Sequence, residues 1–194
     1  AVQIQTTTNN YMLSPLLQDL IDKLCKLPGV GPKTAQRMAF YLLQHNRQAG
    51  LQLGSSLTQS MESITNCRKC RTLCETELCN LCSNPRRDMS QICILESPAD
   101  VLAIEQLNSY RGTYFVLMGH LSPIDGIGPN EIGIDLLIER LDKDDVREII
   151  LATNTTIEGE ATAHYIADIA KKRQIAASRL ATGVPVGGEL DYVD

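Results

Sequence analysis

Leu16, Leu17, Leu20, Ile21, Leu24 and Leu27 recur at three- and four-residue spacing. That period gathers them on one stripe of an α-helix over residues 14–26. Ser14 is placed to cap this helix and Pro15 to fill its first position, while Pro28 and Gly29 end it. A second stripe of Ala35, Met38, Ala39, Leu42 and Leu43 predicts a helix from Pro32 to about Gln44. Leu53, Leu57, Met61 and Ile64 predict a third over roughly 52–65. After a cysteine-rich stretch, read as loops at 67–82, the period changes. Short apolar runs at 92–95, 114–118 and 149–152 read as strands, with a fourth at 179–181. Helices are expected between and after them, at about 99–108, 130–141 and 158–173, and a loop rich in Gly and Pro at 119–129. Strands alternating with helices imply a parallel sheet covered on both faces, hence an α/β class.

These patterns divide the chain into a mobile leader (1–12), a helical region (13–65), a cysteine module (66–88), an α/β domain (89–182) and a C-terminal segment (183–194). The hydrophobic content of 43% suffices for a packed core. No apolar run is long enough to span a bilayer. The opening residues lack the basic-then-apolar order of a signal peptide, so a cytoplasmic protein is expected. Net charge is −5, which speaks against a generic nucleic-acid binder until its distribution is considered. Residues 1–95 carry 10 Lys and Arg against 6 Asp and Glu, a net +4, and residues 96–194 carry 8 against 17, a net −9. A basic front and an acidic back suggest surfaces with different partners, the bland alternative being chance segregation.

Seven cysteines without a secretion signal point away from disulfides. Two residues separate Cys67 from Cys70, and two separate Cys79 from Cys82, with eight residues between the pairs. Two such knuckles place four thiolates around one tetrahedral zinc. A redox pair is the rival reading, and two knuckles in one short polar loop favour the closed metal site. Four thiolates leave no open position, so the zinc is expected to be structural, one per chain. Cys74 breaks the paired spacing and is left out, as are Cys25 and Cys93.

Between the first two helices lies Leu27, Pro28, Gly29, Val30, Gly31, Pro32, Lys33. Gly29 and Gly31 permit a tight turn, and the free N–H groups of a helix start suit a phosphate. Lys33 and Arg37, four residues apart, share the exposed face beside it. The arrangement resembles the helix-hairpin-helix, a DNA-backbone binder indifferent to sequence; the bland alternative is a plain αα-hairpin. Gly31 is expected to be the least replaceable residue, because a side chain there would obstruct the phosphate.

In the α/β half, Glu96 ends the first strand and is followed by Ser97, Pro98, Ala99 and Asp100. Gly119 and His120 end the second strand; Asn154, Thr155, Thr156, Ile157, Glu158, Gly159 and Glu160 follow the third. This succession resembles a Toprim domain, whose catalytic members hold magnesium with a strand-end glutamate and a D-x-D pair. Glu96 matches the glutamate, but the pair corresponds to Asn154 and Thr156, which are neutral. Hard cations are held mainly by carboxylates, so weak or absent magnesium binding is expected. Two alternatives to a scaffold stay open: a magnesium-dependent nuclease or primase, which the missing D-x-D disfavours, and a purely structural zinc protein, which the basic hairpin disfavours.

Taken in order, the hairpin, the cysteine knuckles followed by Ser83, Asn84, Pro85, Arg86 and Arg87, the Toprim stretch at 119–129, the run at 152–163 and the run at 183–191 resemble the bacterial RecR family. The resemblance implies a non-catalytic recombination mediator that binds DNA and, with RecO and sometimes RecF, helps RecA load onto single-stranded DNA. It implies a homotetrameric ring. Glu96, Asp100, Glu158 and Glu160, with Asp125, gather acid at the strand ends, where ligands of open α/β sheets bind. A basic partner fits that face, and the resemblance implies that it is RecO, the bland alternative being carboxylates that merely solvate the surface. Residues 184–194 have been likened to a Walker B motif, but the chain has no phosphate loop of the GxxxxGK[ST] kind, and ATP hydrolysis is not expected. His120 follows a strand beside the candidate loop, whereas His45 and His164 read as surface or packing residues. Tyr41, one turn beyond Arg37, fits either DNA contact or packing. Arg86 and Arg87 fit either phosphate contact or a solvated pair.

Overall fold

The structure, a computed structural model, describes residues 13–180. The expectations for a leader at 1–12 and a C-terminal segment at 183–194 lie outside the described residues. The chain divides into two compact units, residues 1–62 and 63–194.

The first unit holds α1 (Pro15–Leu24), α2 (Pro32–His45) and most of α3 (Arg47–Ser63). Ser14 caps α1, its hydroxyl accepting from the Leu17 N–H at 3.3 Å. Ile21, Ala35 and Ala39 are buried where α1 meets α2, and Leu17, Leu20, Leu24 and Val30 pack around them. The small alanines let the two helix axes approach closely. Helix α3 starts five residues before the expected position, because Asn46 caps it by accepting from the Ala49 N–H at 3.0 Å. None of its residues is buried, and Leu51, Leu57 and Met61 are exposed.

In the second unit a two-stranded antiparallel ribbon, β1 (Thr65–Asn66) and β2 (Leu73–Cys74), interrupts the stretch expected to be loop. Then come β3 (Asp88–Leu95), α4 (Pro98–Gln106), β4 (Gly112–Val116), α5 (Ile134–Lys143), β5 (Glu148–Leu151), α6 (Ile157–Lys172) and β6 (Ala176–Arg179). The four long strands form one parallel sheet in the order β4-β3-β5-β6.

Alternation along the strands explains why both faces are covered. Ile92 and Ile94 point to one side with Phe115, Leu117, Ile149 and Leu151, against Leu137 of α5 and Ile166 of α6. Cys93 and Leu95 point to the other with Tyr114 and Val116, against Val101 of α4 and the cysteine module. Three boundaries in this unit differ from expectation by three residues or more. Strand β3 begins four residues early, through Asp88, Met89, Ser90 and Gln91, none of them buried. Strand β6 covers 176–179 rather than 179–181: it is an exposed strand of small residues, registered on β5 through Glu148 with Ala176 and Leu151 with Arg179. Helix α5 begins four residues late, after Gly133 at φ 74°, where a Cβ would collide with the Arg71 guanidinium.

The chain leaves β3 toward β4 and then crosses back to β5 on the opposite side. The carboxyl ends of β3 and β5 therefore flank the point where strand order reverses, the usual ligand crevice of an open α/β sheet.

Candidate functional sites

The four cysteines are buried, and their Sγ atoms all lie within 4.8 Å of one another. Sulfurs 2.3 Å from a common tetrahedral ion would stand about 3.8 Å apart; Cys70 and Cys79 already stand at 3.5 Å. Each knuckle curls because backbone amides turn onto it: Arg71 N–H donates to the Cys67 carbonyl at 2.8 Å and Ser83 N–H to that of Cys79 at 3.0 Å. Amides also reach sulfur, from Cys79 to Cys67 at 3.3 Å and from Cys82 to Cys79 at 3.5 Å. Burial raises the Cys67 thiol, but the amides of Cys70, Cys79 and Lys69 outweigh it and hold the group at about 6. Burial pushes Cys79 up to about 11, and the neighbouring Cys82 together with burial raises Cys70 further. Four thiols pressed together cannot all ionise unaided, so the donor set fits a soft divalent cation such as zinc. Cys74 stands outside the cluster, its thiol donating to the Thr76 carbonyl at 2.9 Å.

Arginines that the sequence reading did not single out fasten this module to the sheet. Arg71 donates to the carbonyls of Leu117 and Ile132 and lies over the Phe115 ring. Arg140, buried, donates to the Lys69 and Tyr114 carbonyls and to the Thr113 hydroxyl. Neither is distinguishable from a surface charge by spacing. Arg87, expected either to touch phosphate or to be solvated, does neither: it pairs with Glu105 in a largely buried fork that also accepts from the Tyr114 hydroxyl. Arg86 is exposed.

In the hairpin, Gly29 adopts φ +75°, a left-handed conformation that favours glycine. Gly31 is the N-cap of α2 in ordinary extended backbone, φ −83° and ψ 169°, and no side chain caps the helix start. Pro32 has no N–H and the Ala35 N–H donates to the Gly31 carbonyl at 2.9 Å, which leaves the amides of Lys33 and Thr34 for an outside acceptor. Lys33 and Arg37 are exposed on the first and second turns. No protein atom lies within 4 Å of a Cβ built at either glycine. Within the protein, then, only Gly29 is conformationally required, and any intolerance at Gly31 would have to come from a ligand.

At the carboxyl ends of β3 and β5, Glu96 is only 5% exposed. Its Oε1 accepts the Asn154 backbone N–H at 2.9 Å; its Oε2 accepts the Asn154 carboxamide at 2.9 Å and faces His120 Nδ1 at 3.1 Å. Gly159, in the first turn of α6, is needed for this closeness, since a Cβ there would stand 2.8 Å from Glu96 and overlap the Asn154 carbonyl. Thr156 caps α6, accepting from the Gly159 N–H at 3.0 Å. The two D-x-D positions are thus an amide donor and a capping hydroxyl. These residues do not fit a magnesium ion. Asp100 is also turned inward: it closes a capping box, accepting the Ser97 N–H at 2.8 Å while the Ser97 hydroxyl accepts from Asp100 N–H at 3.4 Å. Glu96 and Asp100 are therefore no part of an exposed acidic face. Glu158 is half-buried, and Glu160 is exposed and paired with Arg179.

Beside them the loop after β4 is closed by Ser122, which exchanges backbone bonds with Ile127 at 3.0 and 2.9 Å and donates to Asp125 at 2.6 Å. Its tip carries Ile124, 95% exposed, and Ile157 at the start of α6 is 85% exposed.

Two family models match the chain. One is described as RecR, helix-hairpin-helix, over residues 17–61, and the other as Toprim domain, over residues 90–181. The fold is accordingly an N-terminal helix-hairpin-helix, a four-cysteine module and a Toprim domain whose four-stranded parallel sheet is flanked by helices. Among the described residues, no helix is long and apolar enough to cross a membrane.

Proposed function

This chain has the domain architecture of the RecR family, and from that premise we propose that it is a non-catalytic DNA-binding mediator of recombinational repair. It acts in the cytoplasm as a homotetramer and, with RecO and in some settings RecF, helps RecA load onto single-stranded DNA. The observation that carries the DNA contact is the start of α2, which no side chain caps, with Lys33 and Arg37 exposed on its first and second turns. Gly29 and Gly31 bring phosphate to the free amides and the two cations hold it, without reading bases.

Absence of catalysis is supported by the donor set at the strand ends. Asn154 offers Glu96 an amide where a magnesium site needs a second carboxylate. The four-cysteine module holds one structural zinc. The partner face narrows from four acidic residues to Glu158 and Glu160, with Asp125 on the neighbouring loop. Ile124 and Ile157 give that rim an apolar centre, the anatomy of a protein-docking patch. Opposite charge then steers RecO to it.

Titration of DNA of two unrelated sequences across a salt series tests the main reading. Lys33→Ala/Arg37→Ala is expected to weaken both alike and to lower the log–log salt slope by roughly 0.7–0.9 per lost contact. Unchanged binding, or loss for one sequence only, overturns it. Titration of RecO against Glu158→Lys/Glu160→Lys tests the partner face. A weaker complex with fold and zinc intact is expected, and wild-type affinity at low salt excludes it.

A further inference from the structure

The two cations of the hairpin do not stand alone on α2. Lys33, Arg37, Tyr41 and His45 follow one another at four-residue steps, so they share one helix face over about 18 Å. Together with Gln36, Phe40 and Gln44 they line a shallow groove of about 450 Å³. The opposite face of α2, through Ala35 and Ala39, is the one packed against α1. Tyr41 therefore does not serve that packing: it is 57% exposed, and its ring neighbour is His45, with centroids 5.7 Å apart and planes tilted by 42°.

A binder that touches only phosphates needs cations and amides, and gains nothing from an open aromatic ring beyond them. A ring in line with a cationic track is what an unpaired base requires, because every base offers a π-face while a duplex keeps its bases stacked on one another. We propose that Tyr41, with His45 beside it, is a stacking platform for an unpaired base, so that this face of α2 selects single-stranded nucleic acid over duplex. Lys33 and Arg37 hold the backbone of the strand whose base lies on Tyr41. The inference rests on the phosphate reading of the hairpin and adds to it the choice of strand.

The test uses the full chain and three probes of equal length: oligothymidine, duplex, and a strand of abasic sites. Tyr41→Ala is expected to weaken oligothymidine binding by about 5- to 150-fold, the range of one lost base–aromatic stack. Duplex and abasic binding should not change, nor should the salt slope. Tyr41→Trp should restore oligothymidine affinity. The chain has no tryptophan, so this variant also carries a single indole, whose fluorescence should be quenched by oligothymidine and not by duplex or abasic strand. Oligothymidine affinity in Tyr41→Ala equal to wild type overturns the proposal. So does an equal loss toward duplex, or a loss confined to a protein partner with DNA binding unchanged. If Lys33→Ala/Arg37→Ala binds normally while Tyr41→Ala loses only the single strand, the phosphate reading fails and the stacking platform stands.

Discussion

Asn154 holds Glu96 at both carboxylate oxygens, its backbone N–H on one and its side-chain amide on the other, each at 2.9 Å. In a Toprim site that holds magnesium, that glutamate and a second carboxylate would bind the ion, whose charge would offset theirs; here the amide donors of Asn154 stabilise Glu96 instead. Asn154→Asp removes one donor and sets a second carboxylate beside the first, and like charges in one buried site oppose each other. In metal-free buffer the variant is expected to lose about 1–3 kcal/mol, seen as a lower denaturant midpoint at unchanged slope. Millimolar magnesium should recover part of the loss. A wild-type midpoint without metal would show that the Asn154 bond contributes nothing.

Removal of the metal should be felt beyond the knuckles. Cys70 and Cys82 share a core with Leu95, Val101 and Val116, and the Val116 N–H donates to the Cys70 carbonyl at 2.9 Å. Structural zinc contributes roughly 10–16 kcal/mol in isolated fingers near neutral pH. Cys67→Ser, or chelation, is expected to abolish metal binding at the four cysteines, disorder at least residues 66–85 and accelerate hydrogen exchange at Val116. Full metal content in Cys67→Ser, or unchanged exchange at Val116, would contradict the four-cysteine assignment.

Much of this architecture could be read from the residues, and the exceptions have physical reasons. The parallel strands announced themselves as apolar runs because both faces of the sheet are covered. Strand β6 was misplaced because Ala176, Ala177 and Ser178 are small and exposed, with no apolar period to betray them. The cysteine spacing specified its site, since knuckle geometry is local. Glu96 was located correctly at a strand end, but sequence does not record whether such a carboxylate faces solvent or an amide 58 residues away. Asp100 was within reach: Ser97 three residues before it, with Pro98 between, is a helix-start pattern and argued for an inward role. Arg71, Arg87 and Arg140 were not, because a buried guanidinium is defined by long-range carbonyls and acids rather than by its neighbours in sequence.

The fork between Arg87 and Glu105 predicts an acid limit to stability. Burial pushes the Glu105 carboxyl up, but Arg87 and the Tyr114 hydroxyl outweigh it and hold the group below the ordinary carboxylate range. A carboxylate depressed in the folded state stabilises above its unfolded pKa and loses that contribution as pH falls through the folded one. The stability difference between wild type and Glu105→Gln should therefore be constant near neutrality and shrink progressively below about pH 4. Denaturant melts from pH 7 to pH 3 measure it; a difference flat across that range would show that the ion pair is not its source.

The hairpin glycines separate folding from binding. Gly29 sits at φ +75°, so Gly29→Ala forces a left-handed alanine and is expected to cost about 1–2 kcal/mol of stability. Gly31 is an N-cap in ordinary extended backbone with open space around it, so a side chain there meets no protein atom. Serine is a better N-cap than glycine, and Gly31→Ser should leave stability unchanged or raise it by a few tenths of a kcal/mol. Its hydroxyl would take up a free amide of the first turn and occupy the space through which a phosphate oxygen must approach. DNA affinity should then fall about tenfold, the worth of one charge-assisted hydrogen bond of ~1.4 kcal/mol. Melting curves and DNA titrations on the same two variants decide the matter. If Gly31→Ser folds and binds like wild type, the amides of α2 do not hold phosphate, and the cations Lys33 and Arg37 act alone.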